Sequence, residues 1–169
     1  REFILKHFNT LVCENHMKWY ATEKKRDVYT YERADRYLRW AEEHGLAMRG
    51  HCLFWSKPKF VQDWVKALPD DELRTEVAEH LERIVTRYRG QLIAWDVNNE
   101  MLNGSFYRDR LGPDARAWMF KRAHELDPNT PMHVNEYGML GSDRKTERYI
   151  ELIKSLQAQG APIGGIGIQ

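Results

Sequence analysis

Cysteine is nearly absent. Cys13 and Cys52 are the only two in 169 residues, too few for a disulfide framework or a cysteine zinc site. Both fall in apolar, strand-like runs, so each is expected as a buried free thiol. Nor is there an excess of either charge: 26 Lys and Arg stand against 25 Asp and Glu, a formal +1. That balance gives no electrostatic argument for a nucleic acid or an anionic membrane as partner. The basic cluster EKKR (23–26) sits among acids, as a solvated surface does. No apolar run reaches the roughly 18 residues that a membrane span requires. The opening REFILKHFN lacks the basic, apolar, small-residue order of a signal peptide and reads like the middle of a domain. His, Cys and carboxylates do not gather at metal-ligand spacing, so no metal or other cofactor is expected.

What is present describes one globular domain over residues 1–169, with 42% hydrophobic and 30% charged residues. Short apolar runs read as strands: FNTLVCE (8–14), GLAMRGHCLFW (45–55), QLIAWDV (91–97), PMHVN (131–135) and PIGGIGI (162–168). Between them lie segments of helical period. Residues 31–45 place Ala34, Tyr37, Leu38 and Ala41 on one stripe, and residues 70–90 do the same with Leu73, Val77, Leu81, Ile84 and Tyr88. Residues 113–127 repeat Ala117, Phe120 and Leu126, while residues 143–160 carry Tyr149, Ile150, Ile153 and Leu156. Three of the four end at a glycine or just before one. Strand and helix alternate throughout, which predicts a parallel α/β sheet.

The polar residues choose between the two common parallel architectures. Glu14 and Asn15 follow the first strand, His51 sits late in the second, Asn99 and Glu100 end the third, Asn135 and Glu136 the fourth, and Gln169 the fifth. No glycine-rich phosphate loop follows the first strand, as a dinucleotide-binding sheet requires. Polar groups at every strand's C-terminal end are the signature of a (β/α)8 barrel. A whole barrel takes about 250 residues; five strands make a partial barrel of about five βα units.

FNTLVCENHMKW, RGHCLFW, AWDVNNE, HVNEYG and GIGIQ resemble, in order and spacing, the motifs of glycoside hydrolase family ten, the endo-1,4-β-xylanases. The likeness runs from that family's second strand to its sixth, and the RGHCLFW and NEYG wording is most similar to its plant-type branch. The resemblance implies retaining hydrolysis of xylan by two carboxyl groups roughly 5–5.5 Å apart. Glu100 matches the acid/base glutamate. Asn99 matches the asparagine that bonds the sugar 2-hydroxyl, although an Asn-Glu pair also suits a helix start. Glu14, Asn15 and Lys18 match the ENxxK group that binds hydroxyls on the non-reducing side; a Glu–Lys pair four apart is otherwise ordinary on a helix face. His51 and Trp55 match residues lining the sugar pocket, Tyr137 a tyrosine near the reducing-side subsites, and Gln169 the glutamine ending the sixth strand.

The chain departs from the family pattern in three places. Asn98 stands where valine is usual, and whether it faces inward is not legible. Glu136 stands where aspartate is usual, with Gly138 in place of asparagine. The nucleophile glutamate belongs to the family's seventh strand, so it is expected outside this chain, on barrel strands from the same gene or another chain. Family membership also implies a secreted or cell-surface protein. A second expectation remains open beside the hydrolase: a non-catalytic carbohydrate-binding barrel segment in which the pocket survives without the reaction.

Overall fold

The computed structural model describes residues 1–169. Its elements run α1 (Glu2–His7), β1 (Thr10–Val12), α2 (Trp19–Thr22), α3 (Glu32–Glu43), β2 (Ala47–Trp55), a 3-10 turn (Pro58–Phe60), α4 (Asp63–Lys66), α5 (Asp70–Arg87), β3 (Ala94–Asn99), α6 (Phe106–Leu111), α7 (Ala115–Leu126), β4 (Met132–Glu136), α8 (Asp143–Ala158) and β5 (Gly165–Ile168). The strands form one sheet in the order β1-β2-β3-β4-β5, every pairing parallel. A doubly wound sheet reverses its order at a switch point; this one never reverses. It is a curled partial (β/α)8 barrel, with the outer edges of β1 and β5 unpaired.

The helices bury the faces that their periodicity predicts. Leu73, Val77, Leu81 and Ile84 of α5, and Tyr88 just after it, are buried, as are Ala117, Phe120 and Leu126 of α7. Two positions are corrected. Tyr37 is 49% exposed and stacks on His16, and Ile150 is 45% exposed. Each lies at the edge of its helix's apolar stripe. Both cysteines are free and buried. No helix is long and apolar enough to cross a membrane.

Close approach between layers fixes where the strands can sit. Gly50 lies under the Trp95 ring, where an added Cβ would fall 2.2 Å from Cε3. Trp95 fills the space between β3 and α5, tilted against Tyr88 with centroids 6.3 Å apart. Another pin joins α5 to β2. His80 is buried, stacks on Trp19 at 4.4 Å, and its Nε2–H donates to the Leu53 carbonyl at 3.1 Å.

Burial lowers the His80 pKa to about 3, against the weaker pull of the Leu53 bond. The unfolded chain binds that proton near pH 6.5, so stability is full above 6.5 and falls as pH drops toward 3. The slope from this group approaches about 1.4 kcal/mol per pH unit. Urea denaturation at pH 7, 6, 5 and 4 should show that decline, and His80→Gln should flatten it. An unchanged slope in the variant would mean that other groups carry the acid sensitivity.

Candidate active site

Two irregularities in the ladder build the site. The β2–β3 register shifts between His51 and Phe54, and the β3–β4 register shifts between Asp96 and Asn99. Strict alternation would send residues three apart to opposite faces. The β3 bulge lets both Asp96 and Asn99 face the barrel interior, because a bulge re-aims the side chains beyond it. Asp96 meets Arg49 and His51, while Asn99 meets Asn135 and Gln169.

Glu100 follows at φ +58, in the left-handed region that non-glycine residues seldom occupy. That conformation costs on the order of 1–3 kcal/mol and persists only where neighbours impose it. Here its N–H donates to the Asn135 carbonyl at 2.9 Å and its own carbonyl accepts from Asn103 N–H at 3.0 Å. The side chain is 7% exposed. Its Oε2 accepts from Trp55 Nε1–H at 2.9 Å and pairs with the Lys57 ammonium at 2.6 Å.

The other predicted residues gather around this carboxyl to different degrees. Trp55 stacks on Phe60 with centroids 3.5 Å apart, and Lys18 Nζ lies 4.3 Å from the Trp55 ring centroid. Asn15 Oδ1 accepts from Tyr20 O–H at 3.0 Å and, weakly, from Lys18 at 3.5 Å. Asn99 Oδ1 accepts from Asn135 Nδ2 at 2.9 Å and Gln169 Nε2 at 3.2 Å, which links three strand ends across the rim. Tyr137 is exposed at the mouth, its hydroxyl 3.5 Å from Lys57 Nζ. Glu14 is also exposed and bonds to none of them. His51 lies in the middle of β2, deeper than a rim position, with Nδ1 2.7 Å from Asp96 Oδ2. A carboxylate only accepts, so Nδ1 carries the proton and Nε2 is left free to accept.

Four residues outside the predicted set matter to this geometry. Asp96 orients His51. Lys57 contacts Glu100. Ser56 explains Asn98: its hydroxyl donates to Asn98 Oδ1 at 2.6 Å while Asn98 Nδ2 faces the Met119 sulfur on α7. Asn98 therefore points outward to the helix layer, away from Glu100. Glu136 turns back on the loop after Glu100, accepting from Leu102 N–H at 2.8 Å and Asn103 Nδ2 at 2.6 Å. Burial raises its pKa despite those bonds. With both oxygens engaged, Glu136 fastens the loop that sets the Glu100 backbone. Glu136 was legible as a polar group ending the fourth strand; Asp96, Ser56 and Lys57 became visible only through contacts distant in sequence.

The model of the family "Glycosyl hydrolase family 10" matches residues 1–169. Endo-1,4-beta-xylanase 3 of Arabidopsis thaliana is 46% identical over 99% of this chain and 23% of its own length. The anti-sigma-I factor RsgI6 of Acetivibrio thermocellus is 36% identical over 99% of this chain and 22% of its own. Among solved structures, xylanase XynB from Paenibacillus barcinonensis, complexed with a conduramine derivative, superposes with a TM-score of 0.90 at 33% identity. That match covers 99% of this chain and 54% of the solved one. The chain thus spans about half the length of the solved relative and under a quarter of the two curated ones.

Proposed function

The chain belongs to glycosyl hydrolase family 10, and from that premise we propose that it supplies the acid/base half of an endo-1,4-β-xylanase acting with retention at the anomeric carbon. The carrying observation is the carboxyl of Glu100: buried at a strand end, held on one oxygen by Trp55 and Lys57, and beside the Asn99 cluster. The strands that complete the barrel, from the same gene or another chain, supply the second carboxylate, roughly 5–5.5 Å away.

In the first step that carboxylate attacks the anomeric carbon while Glu100 gives its proton to the departing glycosidic oxygen. A covalent glycosyl-enzyme results. In the second, Glu100, now ionised, takes a proton from water as the water displaces the carboxylate. Asn99 is placed to bond a sugar hydroxyl near the reacting carbon. Lys18, Asn15 and Trp55 offer the mix of ammonium, amide and aromatic face that a polyol needs, since each hydroxyl donates and accepts and each sugar ring has an apolar face. His51 presents Nε2 from deeper in the barrel. Tyr137 stands on the side of Lys57, where the leaving sugar would rest. Xylan as substrate implies secretion or a cell-surface position.

Proton NMR of xylo-oligosaccharide cleavage by the complete barrel tests the mechanism: the first product should be the β-anomer, which mutarotates later. An α-anomer appearing first would eliminate the retaining route. One observation favours a second reading, a carbohydrate-binding barrel without hydrolysis: a relative similar over 99% of this chain is named an anti-sigma-I factor rather than an enzyme. A complete barrel that binds xylotriose and releases no product would select it.

A further inference from the structure

Given Glu100 as the acid/base proposed above, we infer that Lys57 is a positioning residue for it: the Lys57 ammonium holds Oε2 and leaves Oε1 as the oxygen that delivers the proton. Lys57 Nζ and Trp55 Nε1 both meet Oε2, at 2.6 and 2.9 Å, and no protein hydrogen bond reaches Oε1. A proton on Oε2 would face two N–H donors. The neutral carboxyl therefore carries its proton on Oε1, and the two donors fix the plane in which that proton points.

Three strand ends hold the ammonium in place. Lys57 follows β2 in extended conformation, as a residue before proline prefers. Beyond Glu100 at the end of β3, its Nζ lies 4.6 Å from the Tyr137 ring centroid past β4, close enough for a cation–π contact. Burial works against its charge, but the bonds to Glu100 and Tyr137 outweigh it and raise its pKa above the ordinary lysine value. It remains an ammonium at every pH where the reaction would be followed.

Other ionisable groups face Glu100 from each neighbouring element. Glu136 comes from β4, Tyr137 follows it, and the buried Cys52 thiol comes from β2. Lys18 lies over Trp55 from beyond β1, and Arg116 of α7 donates to the Met101 and Gly104 carbonyls. Lys57 alone forms an ion pair with the carboxyl. Its effect opposes that of the second carboxylate, which favours the protonated acid.

Lys57→Met and Lys57→Arg, made in the complete barrel, test this. Removing a cation in contact with a carboxyl favours the neutral form. The alkaline limb of kcat/KM on xylotetraose should therefore move up by about one pH unit or more in Lys57→Met, and Lys57→Arg should restore it. The carboxyl carbon resonance of Glu100, followed by NMR titration, should move in the same direction in Lys57→Met. If the wild-type barrel is active and neither quantity moves, Lys57 only packs against the rim and the inference fails alone. A resonance that moves while the limb does not would remove Glu100 from the acid role, and the inference with it.

Discussion

Glu100→Gln in the complete barrel should lower kcat on xylan by roughly 10²–10⁴-fold, the usual contribution of a positioned general acid and base. The amide keeps the side-chain volume and an oxygen for Trp55 Nε1 and Lys57 Nζ, so the fold and xylotriose affinity should survive. The pattern across substrates carries more weight than the size of the loss. An aryl xylobioside with an acidic phenol departs with little protonation, so its first step should slow far less than that of xylan. The glycosyl-enzyme then accumulates, because water has lost its base. Azide needs no base and should restore turnover, giving a β-xylobiosyl azide. Equal losses on both substrates, with no azide effect, would mean that the residue at the end of β3 binds sugar and transfers no proton.

Much of this site was legible in the sequence because barrels report themselves at strand ends. WDVNNE placed two amides and a carboxylate after an apolar run, and the structure ends β3 at Asn99 with Glu100 beginning the turn. The long helices were legible too, since Leu73, Val77, Leu81 and Ile84 recur at the period of a buried face. The short elements α2, α4 and α6 were not, having four to six residues each and too few turns to show a period. Helix α1 buries no residue, so no inward stripe marked it. The outward turn of Asn98 and the inward turn of Asp96 depend on a bulge between β3 and β4, and a bulge has no composition of its own. Lys57 is a related case: its partner lies 43 residues further along, and only the curvature of the sheet brings the ammonium to 2.6 Å from the carboxyl.

Asp96→Ala should be the most destabilising change at a polar position of the barrel interior, by about 3–5 kcal/mol, the range for breaking a buried charge pair from one side. The carboxylate is 1% exposed. Its Oδ1 accepts from Arg49 Nε at 3.1 Å and is also in contact with the second guanidinium nitrogen, while Oδ2 takes the His51 proton at 2.7 Å. Truncation leaves a guanidinium and an imidazole facing each other with no countercharge, and opens a cavity between β2 and β3. Asp96→Asn separates stability from chemistry. It keeps the volume and one acceptor, so it should cost less than the alanine. If its amide nitrogen takes the place of Oδ2, however, Nδ1 of His51 must accept and Nε2 must carry the proton instead. A histidine that presented an acceptor to the barrel interior would then present a donor. Urea denaturation at pH 7 reads the first effect, and calorimetric xylotriose binding to the complete barrel reads the second. The asparagine variant should bind more weakly while remaining folded. Should the alanine variant lose under 1 kcal/mol, Arg49 and His51 must reach water readily, and the barrel floor beneath Glu100 would be wet rather than a closed, charge-paired support.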